Sequence, residues 1–386
     1  MGEKSKLKIV FAGGGTGGHI FPGIAVADEL KELASQSSVP LEIIWIGNKK
    51  GMDYSIIEKN LISNGGSISS FYGIPCGKLR RYFSLQNFID LFRIFFGFVK
   101  SFFILKKLKP AFLFSKGGFV SVSPCFACKL LKIPYFTHEC DFTPGLATRL
   151  NSKGAKNILV SYSDTLKFFG EKFSNKCLVT GNPVRPVFYK DLSAEGLNFL
   201  SVPENHDKLI LLVLGGSLGA SQINKLVVEN LDWLTQNFIV VHQMGQAFAK
   251  ENPELFTMNN KNYKPYDFIS KEMASVLLCS DIVLSRSGAN SICECAVASK
   301  PMLLIPLCGN GTRGDQVDNA KYFEEKGAAF VLIGNENVTS ENLKLKLECM
   351  KDEKVRASLS SSCKKICGDE RSSLKIAKLI FKEIIK

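Results

Sequence analysis

A glycine-rich segment that contains a threonine and ends in a histidine carries the first recognisable chemistry of this chain. The segment "GGGTGGHIFPG" (13–23) directly follows the apolar run "LKIVFA". Glycines after a strand let backbone amides approach a ligand closely, and the start of the next helix favours an anion such as phosphate. Histidine is the commonest proton-transfer side chain near neutral pH. We therefore predict a phosphate-binding turn with His19 as general base; the alternative is a histidine that only caps or packs under the helix.

A second glycine turn and a carboxylate point to a nucleotide. The turn "GGSLGAS" (215–221) also joins an apolar strand to a helix. Tight packing explains one such turn equally well, but two of them favour phosphate binding. Because the sequence has no D-x-D pair, we expect no metal. Glu294 lies in "SRSGANSICECA" (285–296), within the first turns of a predicted helix and beside the apolar residues Cys293, Cys295, Ala296 and Val297. There it can accept hydrogen bonds from both hydroxyls of a ribose. The alternative is a solvated glutamate on the helix surface.

These residues need a scaffold, and the chain predicts two α/β domains. Strand-like runs alternate with helix-length stretches, with helices expected from about Ile24 and from about Met52, which is typical of parallel sheets. The pattern loosens in a polar, proline-bearing stretch and then restarts at "LILLVLGGSLGASQINKLV". We predict two Rossmann-like domains that face a cleft. The expected parts are an N-terminal domain (1–180), a linker (181–207), a C-terminal domain (208–365) and a C-terminal amphipathic helix (366–386).

Composition narrows the class of protein. With 45% hydrophobic residues among 386, the chain is long enough for two folded cores, and its net charge of +13 suits an anionic partner. Twelve cysteines form no zinc-site spacing, and the first residues enter a strand without an apolar signal core, so we expect a cytosolic protein with reduced thiols. Gly13, Gly15 and Gly18 fit G-x-G-x-x-G, but the second strand ends at Asn48 and two lysines instead of the acid that NAD requires; NADP is less strongly excluded.

Residues 78–110 combine eight phenylalanines with eight Lys or Arg residues, and Asp90 is their only acid. The helical spacing disfavours a stacking platform for nucleic acid, and Asp90, Arg93 and Lys100 interrupt any membrane-spanning run. Part of the stretch must be a buried helix. Because the phenylalanines surround the helix, we expect some of them to be exposed and to dock on an anionic membrane surface.

Taken in order, seven motifs resemble the MurG family of peptidoglycan glycosyltransferases. They are "GGGTGGHIFPG", "KGGFVS", "HECD", "TGNPVR", "GGSLGASQIN", "SRSGANSICE" and "GDQVDNA", and they span roughly residues 8 to 330. The resemblance implies a GT-B fold and an inverting transfer of N-acetylglucosamine from UDP-GlcNAc to the C4 hydroxyl of lipid I, a polyprenyl-pyrophosphoryl-muramoyl-pentapeptide. It implies no cofactor, no nucleic acid, and peripheral attachment to the cytoplasmic face of the cell membrane. Two alternatives stay open: a related diacylglycerol glycosyltransferase and a non-catalytic nucleotide-sugar-binding subunit.

The same resemblance implies roles for individual residues. By this resemblance, the phosphate region is lined by Thr16, Gly17 and Gly18, and the donor is contacted by Arg185 and Ser217. Uracil meets the backbone of Ile269, and the sugar hydroxyls meet Asp315 and Gln316. The nucleoside lies on Ala289, Asn290, Ser291, Ile292, Cys293 and Glu294. The chain departs from the family where "HECD" replaces "HEQN". Asp141 thus stands in place of a sugar-binding asparagine and competes with His19 for the role of base. The segment before Asp315 is slightly long, so the sugar contact can shift by one residue.

Overall fold

The computed structural model describes residues 6–78, 85–215, 220–309, 312–368 and 370–385. The strands are β1 (Leu7–Gly13), β2 (Leu41–Asn48), β3 (Ser70–Ile74), β4 (Phe112–Gly117), β5 (Tyr135–Glu139), β6 (Asn157–Val160), β7 (Cys177–Val179), β8 (Leu209–Leu214), β9 (Phe238–Gln243), β10 (Tyr263–Tyr266), β11 (Ile282–Ser285), β12 (Met302–Leu304) and β13 (Ala329–Val331). The helices are α1 (Gly17–Gln36), α2 (Met52–Glu58), α3 (Leu85–Leu108), α4 (Val122–Leu131), α5 (Leu146–Asn151), α6 (Glu171–Ser174), α7 (Ser193–Leu200), α8 (Ser221–Glu229), α9 (Leu231–Asn237), α10 (Gln246–Glu251), α11 (Met273–Cys279), α12 (Ala289–Val297), α13 (Asp315–Glu325), α14 (Ser340–Cys349), α15 (Glu353–Cys367) and α16 (Ser372–Ile384).

The chain folds into two compact units. The first comprises Met1–Arg185 together with Glu370–Lys386, and the second comprises Pro186–Asp369. Within the described residues, the first unit has a parallel sheet in the order β3-β2-β1-β4-β5-β6-β7, and the second a parallel sheet in the order β10-β9-β8-β11-β12-β13. Each sheet therefore has helices on both faces, and its central strands are mostly apolar, as burial on both sides requires.

Both faces of the first sheet are covered. One face packs Ile9 and Phe11 of β1, with Phe114 of β4, against α1 and α16. The other packs Val10 of β1 and Leu113 of β4 against α3 and α4. Helix α1 lies close to the sheet because Gly23 has no side chain; a Cβ there would come within 2.6 Å of the Trp45 ring. This contact fixes the direction in which the first turn of α1 points.

Two parts of the chain differ from the sequence expectation. Helix α1 begins at Gly17 and not near Ile24, so the glycine run itself forms the first turn and Pro22 lies inside the helix. Glycine and proline disfavour a helix interior, but packing on the sheet overrides this preference here. The stretch expected to be a linker contains α7, where Ser193 Oγ donates to the Leu278 carbonyl at 3.3 Å. That helix belongs to the second unit. Helix α2 begins at Met52, as predicted.

Helix α16 returns to the first unit and completes its core. Ile376 and Ile380 are fully buried against the face that α1 covers. Ser373 Oγ donates to Glu29 Oε1 at 3.3 Å, and Arg371 forms an ion pair with the same carboxylate at 3.4 Å. The amphipathic helix expected at the end of the chain is thus present, and its apolar side is a structural part of the first unit. The domain boundaries proposed from the sequence stay a prediction.

We predict that Ile380→Ala destabilises the first unit by about 2 to 5 kcal/mol, because it leaves a cavity in a core that cannot close over it. Urea unfolding of the full chain in a Trp233→Phe background, followed by Trp45 fluorescence, measures the change. Lys382→Ala, an exposed position on the same helix, should change the unfolding midpoint by less than about 0.5 kcal/mol. Equal stability of the two variants would contradict a core role for α16.

Candidate active site

Each sheet has one place where its strand order reverses. In the first sheet it lies between β1 and β4, and in the second between β8 and β11. Ligands of open α/β sheets bind outside the carboxyl ends of the strands at such a point. The first glycine turn follows β1, and the second follows β8. Both turns therefore lie where the topology expects a ligand.

A buried carboxylate holds the first glycine turn. Asp53, at the start of α2, is completely buried. Its Oδ1 accepts the N–H of Gly15 at 2.8 Å, and its Oδ2 accepts the N–H of Asn48 at 2.7 Å. Burial raises the pKa of Asp53, and the two amides oppose that shift. Only glycine fits at position 14, since a Cβ there would lie 1.8 Å from Oδ2. The sequence expectation missed Asp53, because we looked for an acid at the end of β2 and not five residues later.

His19 lies in the first turn of α1 and is packed against the next glycine pair. Its backbone N–H donates to the Thr16 carbonyl at 3.1 Å, and its side chain is half-buried. The imidazole is in contact with Gly118, where a Cβ would come within 2.6 Å of Cδ2 and 3.0 Å of Nε2. Gly118 has a φ of +75°, which favours glycine for a second reason. The turn after β4 thus positions the histidine that follows β1.

Two more basic side chains lie beside His19. Lys116, in β4, is only 2% exposed, and His138, in β5, is fully buried. His138 Nε2 lies 2.9 Å from the Gly181 carbonyl, so this nitrogen carries the proton. Burial lowers the pKa of His138 well below its usual value, and the charges of Lys116 and His19 lower it further. The carboxyl edge of the first sheet therefore brings one lysine and two histidines close together.

Asp141 follows β5 at the same edge. Its N–H donates to Glu139 Oε1 at 3.1 Å, while Gly145 donates to Glu139 Oε2 at 2.9 Å. Burial and the charge of Asp141 both raise the pKa of Glu139. Ligand atoms of Glu139, Cys140 and Asp141 lie within 4.8 Å of one another, the spacing of a metal site. However, both oxygens of Glu139 already accept hydrogen bonds from backbone amides, so this carboxylate stabilises the loop that follows β5.

Arg185 lies over the Phe21 ring, with its Cζ 5.5 Å from the ring centroid.

The second unit fixes its loops with an arginine and an amide. Arg286, directly after β11, donates from Nη1 to Gln222 Oε1 and to the carbonyls of Ile305 and Pro306, at 3.0 to 3.2 Å. Gln316 Oε1 accepts the N–H of Leu307 at 3.0 Å. Asp315 pairs with Arg313 at 3.2 Å. Gln316 thus orders the loop after β12, and Asp315 is held by Arg313.

Helix α12 begins where the nucleoside segment was predicted. Gly288 is its extended N-cap, and Ala289 to Glu294 form its first six residues. Ala289, Ile292 and Cys293 are buried, while Glu294 is half-buried. The Ile269 N–H donates to Gln243 Oε1 at 2.8 Å and is therefore already engaged. A nucleobase at this segment would have the Ile269 carbonyl as its backbone partner.

The predicted site residues therefore fall into two groups. Thr16, Gly17, Gly18, His19, Asp141 and Arg185 lie in the first unit, and Ile269, Ala289, Asn290, Ser291, Ile292, Cys293, Glu294, Asp315 and Gln316 lie in the second. Ser217 lies outside the described residues. The sequence expectation missed Lys116, although a lysine that ends the buried strand "FLFSKGG" was a visible signal.

Two parallel-sheet Rossmann-like units have the architecture of the GT-B fold. Solved structures agree on this fold: a crystal structure of Acinetobacter baumannii MurG has a TM-score of 0.71 at 22% identity, covering 97% of this chain and 99% of that one. UDP-GlcNAc 2-epimerase from Neisseria meningitidis bound to UDP-GlcNAc has a TM-score of 0.66 at 16% identity, covering 98% and 100%. The predicted fold class is confirmed.

Sequence comparisons identify the family. The glycosyltransferase family 28 N-terminal domain matches residues 9–160, and its C-terminal domain matches residues 210–378. A Treponema denticola UDP-N-acetylglucosamine–N-acetylmuramyl-(pentapeptide) pyrophosphoryl-undecaprenol N-acetylglucosamine transferase is 53% identical over 85% of this chain and 84% of its own length. The same-named protein of Borreliella burgdorferi is 40% identical over 98% of both. The chain belongs to this transferase family and is a hexosyltransferase, which confirms the resemblance found in the motifs.

We predict that Gly118→Ala lowers kcat at least tenfold. The new Cβ would displace the His19 imidazole and would also strain a backbone with positive φ. Gly65→Ala is the matched control: its φ is +82°, but nothing lies within 4 Å of the added Cβ. Steady-state transferase assays of both variants separate the contact from the strain. If Gly118→Ala kept the kcat of the wild type, Gly118 would not position His19.

Proposed function

We propose that this chain transfers N-acetylglucosamine from UDP-GlcNAc to the C4 hydroxyl of the muramoyl residue of lipid I, which yields lipid II and UDP. In this inverting displacement the acceptor oxygen bonds to the anomeric carbon while the bond from that carbon to the diphosphate breaks. The acceptor proton passes to a base, and the electron pair leaves with UDP. The observation that carries the proposal is the 53% identity to the Treponema denticola transferase over 85% of the chain.

The second unit supports a donor role. Helices α8 and α12 follow the two strands that flank the reversal point of this sheet, and their N-termini suit a diphosphate without a metal. Glu294 is half-buried on α12, where its carboxylate can accept both ribose hydroxyls. We place the nucleoside on Ala289 to Glu294 and the sugar hydroxyls near Asp315.

The first unit supports an acceptor role. Its reversal point carries a glycine turn held by Asp53, and a histidine held by Gly118. A half-buried imidazole at this edge suits a general base, because it can take up the acceptor proton near neutral pH. We therefore propose His19 as the base, with Asp141 as the competing candidate.

Transfer of radiolabel from UDP-GlcNAc by the purified chain alone tests the reaction. The expected result is label in lipid II when lipid I is present, and none when diacylglycerol replaces it. Label in the diacylglycerol product would identify the related lipid glycosyltransferase instead. No transfer to either acceptor, with UDP still bound, would identify a non-catalytic nucleotide-sugar-binding subunit.

We predict that His19→Ala lowers kcat by about 10² to 10⁴, the range expected for loss of a general base. The affinity for UDP, measured by calorimetry, should stay within twofold of the wild type, since His19 lies in the other unit. Asp141→Asn is measured beside it. A large loss of kcat in Asp141→Asn, together with near wild-type turnover in His19→Ala, would assign the base to Asp141.

A membrane-facing surface is the second part of the proposal. The docking surface comprises the exposed phenylalanines of α3 and α4 and the lysines at the end of α3: Phe88, Phe92, Phe95, Phe96, Phe103, Phe126, Lys106 and Lys107. Phe92 is 64% exposed, which is unusual for a side chain of this size. Asp90 turns inward, is 4% exposed and pairs with Arg93 at 3.0 Å, so the only acid of residues 78–110 does not oppose an anionic surface.

This surface suits peripheral docking at the cytoplasmic face of the cell membrane, where a lipid-linked acceptor would lie. Among the described residues, no helix is both long and apolar enough to cross a bilayer. Aromatic side chains can enter the headgroup region while lysines meet anionic lipids. Arg80 and Arg81, which the sequence also assigns to this stretch, lie outside the described residues.

We predict that Phe92→Ser, Phe96→Ser, Lys106→Gln and Lys107→Gln, combined in one variant, weaken binding to vesicles that contain phosphatidylglycerol. Each lost charge should cost about 1 kcal/mol. Vesicle sedimentation measures the loss, and transfer to a short-chain soluble acceptor should persist. Phe256→Ser, a 45% exposed phenylalanine of the second unit, is the control. Unchanged vesicle binding by the combined variant would refute the docking surface.

A further inference from the structure

Lys116 is a buried cation for which the described residues supply no acceptor. Its side chain is 2% exposed, and its Nζ has no hydrogen-bond partner among them. An ammonium group removed from water costs several kcal/mol unless an anion or hydrogen-bond acceptors replace the solvent. His138 beside it is also basic and is kept neutral by burial and by Lys116. The Lys116 ammonium is therefore the full buried charge at this place, and it calls for an anion or another hydrogen-bond acceptor.

The backbone brings Lys116 to the ligand edge of the sheet. Ala12 pairs with Ser115 and Gly13 pairs with Gly117, so Lys116 is an extra residue that bulges from β4. Bulges of this kind redirect a side chain next to functional sites. Gly13 makes room for it: a Cβ at position 13 would lie 3.3 Å from the Cβ of Lys116 and 3.1 Å from the carbonyl oxygen of His19. Lys116 is therefore packed directly against the first glycine turn, at the reversal point of the sheet.

The glycine turn supplies hydrogen-bond donors but no full charge. Helix α1 starts at Gly17, so its N-terminus contributes about half a positive charge at the turn. A diphosphate carries at least two negative charges, and a lysine commonly complements the amide donors of a phosphate-binding glycine turn. The packing of Lys116 against this turn therefore brings a full positive charge next to the amide donors.

The docking surface lies on the elements that follow. The turn after β4 leads through Phe119–Ser121 into α4, and Ser123 Oγ donates to the Ile94 carbonyl of α3 at 3.2 Å. Phe126 of α4 contacts Phe98 of α3, with 5.4 Å between ring centroids. Lys116 thus lies shortly before α4 in the chain, and α4 packs against α3. These two helices carry the proposed docking surface. A diphosphate attached to a lipid chain has this arrangement of charge and apolar tail.

We propose that Lys116 binds the diphosphate of the lipid-linked acceptor and is the specificity-determining cation of the first unit. The inference rests on the proposed function for the identity of the acceptor. Free pyrophosphate would meet the same lysine and the same turn, so it serves as a probe of the site that does not depend on turnover.

The experiment compares Lys116→Met and Lys116→Arg with Lys50→Met, an exposed lysine after β2. In Lys116→Met, the KM for the lipid-diphosphate acceptor should rise at least tenfold, and the KM for UDP-GlcNAc should stay within twofold. Thermal unfolding should occur at the wild-type temperature or above it, because an unpaired buried charge has been removed. Lys116→Arg should retain most of the acceptor affinity, and Lys50→Met should behave as the wild type. Glu294→Ala should show the opposite pattern, with donor binding weakened and the acceptor KM unchanged.

A second measurement separates this inference from the reaction itself. Binding of inorganic pyrophosphate is measured calorimetrically with UDP at saturation, so that the second unit is occupied. Loss of this binding in Lys116→Met supports the anion site even if lipid I is not the acceptor. Unchanged pyrophosphate binding and acceptor KM overturn the proposal. A lower unfolding temperature with both KM values raised also overturns it, since Lys116 would then be a structural partner of His138.

Discussion

The Asp53 carboxylate is the interaction on which the first unit's site depends. Three consecutive glycines after β1 have no side chains to hold them, and a free loop of this composition would sample many conformations. Asp53 fixes the loop at Gly15 and ties it to the end of β2 at Asn48. Each such bond to a charged acceptor contributes about 1.5 to 3 kcal/mol. Trp45 adds a third restraint, since its Nε1 donates to the Gly13 carbonyl at 3.0 Å.

The restraint on the turn extends to His19, the base proposed above. Because the loop is fixed, α1 starts at Gly17 and His19 faces the turn after β4, where Gly118 leaves space for the imidazole. The same helix is held from behind by α16, through Glu29 and Ser373. The position of His19 thus depends on a segment more than 350 residues away in the chain. Precise placement of catalytic groups requires support of this kind from packed elements.

The sequence was sufficient for features that repeat or that follow a strict spacing. Alternating strands and helices predicted two parallel-sheet domains, and α12 begins at Ala289 as expected. The sequence was insufficient where packing overrides local conformational preference. The glycines of α1 and the polar residues of α7 are typical of loops, but both segments are helical. Asp53 and Lys116 were missed because their significance is three-dimensional. A lysine in the buried strand before "GG" is visible in the sequence, but its role, like that of the aspartate after "NKKGM", becomes clear only when β2 and β4 are placed on either side of β1.

The buried basic residue near the reversal point is bonded differently in the two sheets, and the difference follows from side-chain chemistry. Arg286 is planar and rigid, and its three acceptors bind it into the framework of the second unit. Burial lowers its pKa, yet an arginine remains charged, so it can order the loop after β12 permanently. Lys116 has a flexible four-carbon stem and no such acceptors among the described residues. In the proposed reaction, a rigid framework in the second unit suits a donor whose leaving group must be held still while its bond breaks. In the first unit, the buried Lys116 ammonium keeps its hydrogen-bonding capacity for the acceptor diphosphate proposed above.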